Sequence, residues 1–482
     1  MSRALARESL ANEIWRACDI MRRDDNCGGV MEYVEHLSWL LFLRFLDAQE
    51  DIFEEEARIV GRTYVRIIDG DYRWSQWARR DDLTGDDLLR FVHGELIPHL
   101  RGLTGSPERE IIRSVFSDRN VVVTASGYNL KDVITIIDHI NFASEDDIHT
   151  VSFVYEDLLR RLGSENRVAG EFYTPRPIIR FMTEMVDSKI GETVYDPACG
   201  SCGFLVESYL RMKSSRSLTT QDYERLQRRT FYGQEKKPLP ALLGTMNMVL
   251  HGVFTPTIRR KNTLEEDIHN VAEQFDVILT NPPFGGKEGK HIQQNFPVQS
   301  QATELLFLQH IMKKLKVNGR CGMVVPEGTL FRGDAFAMVK KDLLERFSIH
   351  TIVSLPTGVF LPYSGVKTNL LFFEKTGPTR EIWYYELLPS NGQRYTKGSP
   401  IQDAGFDDCR GKLRTREISD RSWIVTADEI VRSGYDLTAR NPNRKRIIQQ
   451  RTPNELTVSI IEKEHRILGL LEDIQKQLNS KS

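Results

Sequence analysis

Hydrophobic residues follow two different periods along this chain, and the change of period marks its main boundary. Up to about residue 165 the spacing is helical. Val34, Leu37, Leu41 and Phe45 fall on one helical face within the very apolar stretch Leu37-Ser38-Trp39-Leu40-Leu41-Phe42-Leu43. These residues are expected to form the core of a helical domain. Further helices are expected over 109–117, 130–139 and 149–162.

From about residue 170, short apolar runs alternate with helical segments. Residues 193–196 read as a first strand, followed by a helix from Phe204 to Lys213. Residues 230–235 read as a second strand, followed by a helix through Leu242, Met246 and Leu250. Residues 257–264 offer a short third strand and 275–280 a fourth. A helix over about 303–316 precedes a fifth strand at 321–325, and 350–354 and 369–373 make seven. The last two have no helical segment between them, which suits antiparallel pairing at a sheet edge. The alternation predicts an α/β fold, a Rossmann-like, mostly parallel seven-stranded sheet covered by helices.

Beyond Lys375 the pattern is mixed and polar. Residues 454–478 return to helix, with Ile460, Ile467, Leu471, Ile474 and Leu478 at three-four spacing and Glu464 interrupting. The expected division is an α-helical N-terminal domain (1–165), a catalytic domain (166–376), a mixed extension (377–450) and a C-terminal helix for subunit association (451–482).

Composition narrows the function classes. The chain has 482 residues, 40% hydrophobic and 27% charged, and no apolar run reaches membrane-spanning length. Its start, Met1-Ser2-Arg3-Ala4-Leu5-Ala6-Arg7-Glu8, has no apolar signal core, so a cytoplasmic protein without a membrane partner is expected. The 65 basic and 67 acidic residues leave a net charge of −2. That is not the footprint of a chain that grips DNA alone through a uniformly basic surface. A partner supplying phosphate contacts is compatible with it. Six scattered cysteines do not suggest a disulfide framework. Cys199 and Cys202 form a CxxC with no second pair to complete a zinc site, so no metal is expected.

Candidate chemistry concentrates behind the fourth strand, at Asn281-Pro282-Pro283-Phe284. Two prolines stop the strand, because each lacks an N–H and has a fixed φ. An amide, two carbonyls and an aromatic face are thereby held at a strand's carboxyl end, where ligands sit in open α/β sheets. This set suits a planar amine conjugated to a ring or carbonyl. The exocyclic nitrogen of adenine is a poor nucleophile, since its lone pair is delocalised. Acceptors that take both hydrogens, the Asn281 side-chain oxygen and the Pro282 carbonyl, draw it toward a tetrahedral, nucleophilic form. Phe284 would stack on the base, which must first be flipped out of a duplex. Cytosine offers a comparable amine.

The first strand ends in Asp196-Pro197-Ala198-Cys199-Gly200-Ser201-Cys202-Gly203-Phe204. Small residues here allow close approach of a ligand and begin a helix. The glycine spacing is not that of a dinucleotide fingerprint. A carboxylate at the strand end, Asp196, suits the ammonium of an amino-acid-bearing ligand, which favours S-adenosylmethionine. Glu235, at the end of the second strand, is placed to accept from ribose hydroxyls. Upstream, Gly170-Glu171-Phe172-Tyr173-Thr174-Pro175-Arg176-Pro177 reads as a loop folding over the methionine end of the cofactor. Thr174 is the expected N-cap and Pro175 the first residue of the helix that follows. Asn262, with Thr263, is a candidate contact for the cofactor's adenine. The glycine-rich basic segment Phe284-Gly285-Gly286-Lys287-Glu288-Gly289-Lys290 is expected to be a mobile loop closing on the flipped base.

GEFYTP, DPACGSCGF, GQE and NPPF, in this order and spacing, resemble the amino-methyltransferases of DNA. The likeness is greatest to the modification (M) subunit of bacterial type I restriction–modification systems, and it covers nearly the whole chain. The resemblance implies the S-adenosylmethionine-dependent methyltransferase fold and N6-methyladenine in double-stranded DNA as product. It also implies a complex of two M subunits with one specificity (S) subunit, to which the restriction (R) subunit adds. On matching positions it implies cofactor contacts from Glu171, Phe172, Tyr173, Thr174, Pro175 and Arg176, from Gly200, Ser201, Cys202 and Gly203, and from Glu235. Asn281, Pro282, Pro283 and Phe284 would form the catalytic pocket. Cys199 and Cys202 stand where small non-thiol residues are common, and cysteine is small enough for the loop geometry to survive. A missing partner is suggested independently. Neither the stretch between Phe284 and Gly319 nor 376–450 has room or motif for a domain that reads bases in the major groove. Other readings are methylation of a protein glutamine or of an RNA base, and a non-catalytic assembly subunit retaining the fold.

Overall fold

The structure, a computed structural model, describes residues 3–117, 121, 123–142, 151–152, 154–159, 173–271, 273–361, 364–389, 395–396, 398–443 and helical positions between 457 and 471. Residues Met1–Asn441 form one compact unit and Pro442–Ser482 a second.

The helical region is organised by one long helix, Val30–Ile59, in which nearly every residue from Tyr33 to Glu50 is buried. A helix apolar on all sides must be packed on all sides. Its charged members are satisfied locally. Arg44 donates to the Ile140 carbonyl (3.0 Å), and Asp47 accepts from the Ser75 N–H (3.2 Å). Val34, Leu37, Leu41 and Phe45 all lie in this core, with Trp39, Trp74 and Trp77. The expected helices at 109–117 and 130–139 occur as Pro107–Phe116 and Gly127–Asp138. Of the one expected at 149–162, residues 151–152 and 154–159 are described and helical.

The helical region and the sheet share a core. Leu243, Met246, Val249 and Leu250, from the helix Pro238–Leu250, pack into the same apolar cluster as the N-terminal helices. The Ser152 hydroxyl donates to the Leu250 carbonyl (2.9 Å), and the Tyr155 hydroxyl to Ser38 Oγ (3.1 Å).

Among the described residues the sheet has nine strands, not seven: β1 Val194–Asp196, β2 Phe231–Glu235, β3 Thr257–Arg260, β4 Phe275–Thr280, β5 Leu315–Pro326, β6 Ser348–Ser354, β7 Thr368–Glu374, β8 Glu381–Glu386 and β9 Ser422–Thr426. Their order is β3-β2-β1-β4-β5-β7-β6-β8-β9. Strands β3 to β5 run parallel. β7 inserts antiparallel between β5 and β6. The antiparallel pairing expected of the last two predicted strands therefore occurs, but not at an edge. β8 and β9, in the stretch read as mixed and polar, carry the sheet onward. β8 reads Glu-Ile-Trp-Tyr-Tyr-Glu, and its four central residues are buried. So short an apolar run within a polar stretch carries little periodic signal; pairing with β6 makes it a strand.

In the second unit the described positions between 457 and 471 are helical, with Val458, Ile461, Ile467, Leu468 and Leu471 exposed. Ile460, Ile474 and Leu478 lie outside the described residues. Among the described residues no helix is long and apolar enough to cross a membrane.

Candidate functional site

Strand order reverses between β1 and β4: the chain leaves β1 toward β2 and β3 on one side and resumes at β4 on the other. Crevices at such reversals are the ligand sites of open α/β sheets. β1 and β4 pair in register at Val194↔Val277 and Tyr195↔Ile278, so Asp196 and Asn281 emerge at the same edge. A cleft there is lined by Thr174, Asp196, Gly200, Ser201, Gly203 and Asn281, with Ile179, Ala198, Cys199 and Phe204 completing its wall. Three segments remote in sequence thus converge on one cavity.

Asp196 is fully buried, and its Oδ1 accepts from the Ala198 N–H (3.0 Å). Burial pushes its carboxyl up to about 7, against the opposing effects of the Thr280 hydroxyl and the Ala198 N–H. Glu235 is held by its own neighbourhood. One oxygen accepts from the Gly200 N–H (3.1 Å), the other from Lys237 N–H (2.9 Å). Burial raises its pKa, opposed by the backbone N–H groups of Lys237 and Gly200.

The glycine loop turns through left-handed conformations at Gly200 (φ 47°) and Cys202 (φ 60°), and the helix Gly203–Ser215 begins immediately after. Such a conformation is uncommon for a residue with a Cβ. The Cys202 N–H bonds the Cys199 carbonyl (2.6 Å), and the Ser201 carbonyl accepts from Asn247 Nδ2 (2.8 Å). Both cysteines are buried, reduced and accommodated by absent side chains. A Cβ at Gly233 would lie 2.9 Å from Cys199 Sγ, and one at Gly244 would lie 2.6 Å from Cys202 Sγ. The hydrogen bond with Cys202, together with burial, holds the Cys199 thiol far above its usual range, which is the state of an inert packing thiol.

The helix expected to begin at Pro175 under a Thr174 cap starts one residue later, as Arg176–Val186, with Pro175 at the N-cap. Thr174 does not cap it. Its hydroxyl accepts instead from Asn281 Nδ2, at 3.0 Å. Asn281 Oδ1, the other end of that amide, is buried and has no hydrogen-bond partner among the described residues. Pro282 is buried and Pro283 exposed. Phe284 is half-buried and meets Phe360 edge to face, at 6.0 Å between ring centroids. The segment expected to be a mobile loop is tied down. The Gly286 carbonyl accepts from Thr303 N–H (3.2 Å), and the Glu288 N–H donates to the Gln301 carbonyl (2.9 Å).

Other predicted residues are not among those that line the cleft. Arg176 pairs with Glu156 of the helical region, and Glu156 also faces His251 at 3.3 Å. Tyr173 packs on the helical core. Asn262 caps the short turn Thr263–Glu265, its Oδ1 accepting from Leu264 N–H (3.3 Å). Glu171 and Phe172 lie outside the described residues. Thr263, next to Asn262, ties the β3 end to the loop after β1 by donating to the Pro197 carbonyl (2.5 Å). Asn247 was not foreseen as a support for the glycine loop, because nothing in a single sequence distinguishes it from any other polar residue on a buried helix.

An acceptor-bearing turn and a glycine loop at the switch point of the parallel part of the sheet form the candidate ligand site of an α/β fold. Comparison with known proteins specifies the family. The model for N-6 DNA methylases matches residues 146–450, and that for the HsdM N-terminal domain matches 10–137. The chain is 40% identical to the EcoEI type I restriction enzyme methylase subunit of Escherichia coli, over 93% of both chains. It is 32% identical to the StySPI methylase subunit of Salmonella potsdam, over 87% of this chain and 80% of that one. A chain solved in work on the assembly and conformational transition of the type I restriction–modification system is 62% identical, with a TM-score of 0.83 and 99% of both chains covered. The chain belongs to the N-6 DNA methylase family, as a methylase subunit of the type I restriction enzymes.

Proposed function

We propose that this methylase subunit binds S-adenosylmethionine in the β1–β4 cleft and transfers its methyl group to N6 of an adenine flipped out of double-stranded DNA. The observation that carries the reading is the buried Asn281 Oδ1, without a partner among the described residues, on a side chain that lines the cavity shared with the glycine loop. A buried acceptor without a donor is costly unless a ligand supplies one. An amine hydrogen does so.

The residues present fit the cofactor. Asp196 would hold its ammonium, the loop from Gly200 to Gly203 would pass close beside it, and Glu235 would face its ribose while bracing Gly200. When bound, S-adenosylmethionine supplies a methyl group on a positively charged sulfur. Asn281 Oδ1 and the Pro282 carbonyl accept the two amine hydrogens, which localises the lone pair on nitrogen. Phe284 stacks on the base, held by the edge of Phe360. The transfer would balance as a methyl group leaving the sulfonium, which becomes a neutral thioether, for the amine nitrogen, whose displaced proton would pass to solvent.

We further propose that the subunit works with a specificity subunit, a second copy of itself and, in the full complex, a restriction subunit. The decisive experiment incubates unmethylated DNA with labelled cofactor, with and without the specificity subunit. Label in N6-methyladenine, dependent on that subunit, is expected; label in RNA or protein alone would end the reading.

Two smaller predictions follow from the same geometry. Phe284→Ala lowers kcat/KM by the stacking it removes, about 1–3 kcal/mol; unchanged kinetics would exclude the stacking role. Cofactor affinity depends on pH through Asp196. Burial raises its carboxyl to about 7, whereas an ammonium ligand needs it ionised. Binding therefore weakens as pH falls below 7, by up to about tenfold per unit, and levels off above it. Calorimetry from about pH 5.5 to about pH 7.5, where the α-amino group of the cofactor remains mostly protonated, measures this. Asp196→Asn flattens the profile, and a wild-type affinity constant across that range would contradict the assignment.

A further inference from the structure

Thr174 and Asn281 are 107 residues apart in sequence and joined by one hydrogen bond, Asn281 Nδ2 to Thr174 Oγ1, at 3.0 Å. The opposite end of the amide, Oδ1, is buried and has no hydrogen-bond partner among the described residues. An amide is asymmetric: one end accepts and the other donates two hydrogens. Only the accepting end can receive the hydrogens of an adenine amine; the donating end would repel them. The side chain must therefore be held in one of two orientations of almost equal shape.

We propose that Thr174 is a positioning residue for methyl transfer, anchoring the donor end of the Asn281 amide so that its oxygen faces the reacting amine. The inference rests on the reading of Asn281 as the acceptor. It also explains why Thr174 leaves the helix start uncapped: its hydroxyl is engaged by the catalytic turn, while Pro175 occupies the N-cap. Valine at 174 keeps the shape of threonine and removes the acceptor. Nδ2 then faces an apolar group, and a buried donor without a partner is unfavourable. The amide relieves this by turning its nitrogen toward the cleft, which presents donors to the substrate amine. Because Thr174 also lines the cleft, the segment that borders the cofactor is the one that sets the acceptor.

The test uses the subunit assembled with its specificity subunit, measuring single-turnover DNA methylation at saturating cofactor and cofactor affinity by calorimetry. Thr174→Val is expected to lower the single-turnover rate roughly tenfold, the scale of one lost hydrogen bond. Thr174→Ser, which restores the hydroxyl, is expected to recover most of it. In the double variant with Asn281→Ala, valine is expected to add no further loss, since the amide it misplaces is gone. Thr174→Ala serves as a second acceptor-free variant, and thermal melting checks that each variant is folded. A loss in Thr174→Val that vanishes at saturating cofactor would make Thr174 a cofactor contact and overturn the proposal. So would additive losses in the double variant, or a wild-type rate in folded Thr174→Val or Thr174→Ala. If Asn281→Ala keeps the wild-type rate, the acceptor reading fails and takes this inference with it. If Asn281→Ala is inactive while Thr174→Val is unaffected, only the positioning role fails.

Discussion

Asn281→Ala lowers methyl transfer by about a hundred- to a thousand-fold while cofactor affinity stays near that of the unaltered chain. The two readouts separate because Asn281, which directly follows β4, is assigned to the substrate amine and not to the cofactor. Its amide oxygen acts on charge that develops only as the amine attacks, so its loss falls on the chemical step. The turn survives the substitution, since Pro282 and Pro283 hold the backbone without help from the Asn281 side chain. Rapid-quench methylation assays paired with calorimetric titration of cofactor measure both quantities. Turnover within a few-fold of normal would remove Asn281 from the mechanism. Loss of cofactor binding in parallel would move it to the cofactor site.

Gly244→Ala is the second large effect, and its sign runs against helix propensity. Gly244 lies inside the helix Pro238–Leu250, where alanine is ordinarily favoured by about 1 kcal/mol. Here the added Cβ would sit 2.6 Å from both Cys202 Sγ and the Gly200 carbonyl oxygen. The sulfur can rotate a little, but the carbonyl belongs to backbone already turned left-handed and braced by Glu235. The loop must therefore move. Overpacking of this kind costs about 1–3 kcal/mol, more than the propensity gain at the upper end of that range. A displaced loop should weaken cofactor binding by at least about tenfold, with a lower melting temperature. Adding Cys202→Ala relieves the sulfur contact but not the carbonyl contact, so recovery should be partial. Thermal unfolding and cofactor titration on the single and double variants check this. Unchanged melting and affinity in Gly244→Ala would show that the loop has slack the packing does not suggest.

The sequence already showed most of the architecture where local periodicity was strong. The helical first third, the strand–helix alternation from β1 to β5 and the connection without a helix between β6 and β7 were all readable. The position of β7 between β5 and β6 was not, because strand neighbours are selected by long-range pairing. β8 and β9 were missed for the same reason. The four motifs that carry the family resemblance were legible as strings of residues. Their partners were not. Thr174 was read as a cap because threonine before proline fits that role locally, whereas its hydroxyl meets Asn281. Arg176 also meets Glu156 of the helical region, a pairing that no local pattern shows.

What the amino-acid order settled by itself is which groups are available: a carboxylate behind one strand, small residues after it, and an amide before two prolines behind another. These depend on neighbours in the chain, through φ restriction, missing N–H groups and small side-chain volume. What only the tertiary structure decided is which of those groups face one another. The strand reversal between β1 and β4 sets Asp196 beside Asn281, and Gly233 and Gly244 leave the volume that two cysteines fill. Close packing and buried hydrogen bonds make those choices between residues distant in sequence, where a one-dimensional pattern carries no distance information.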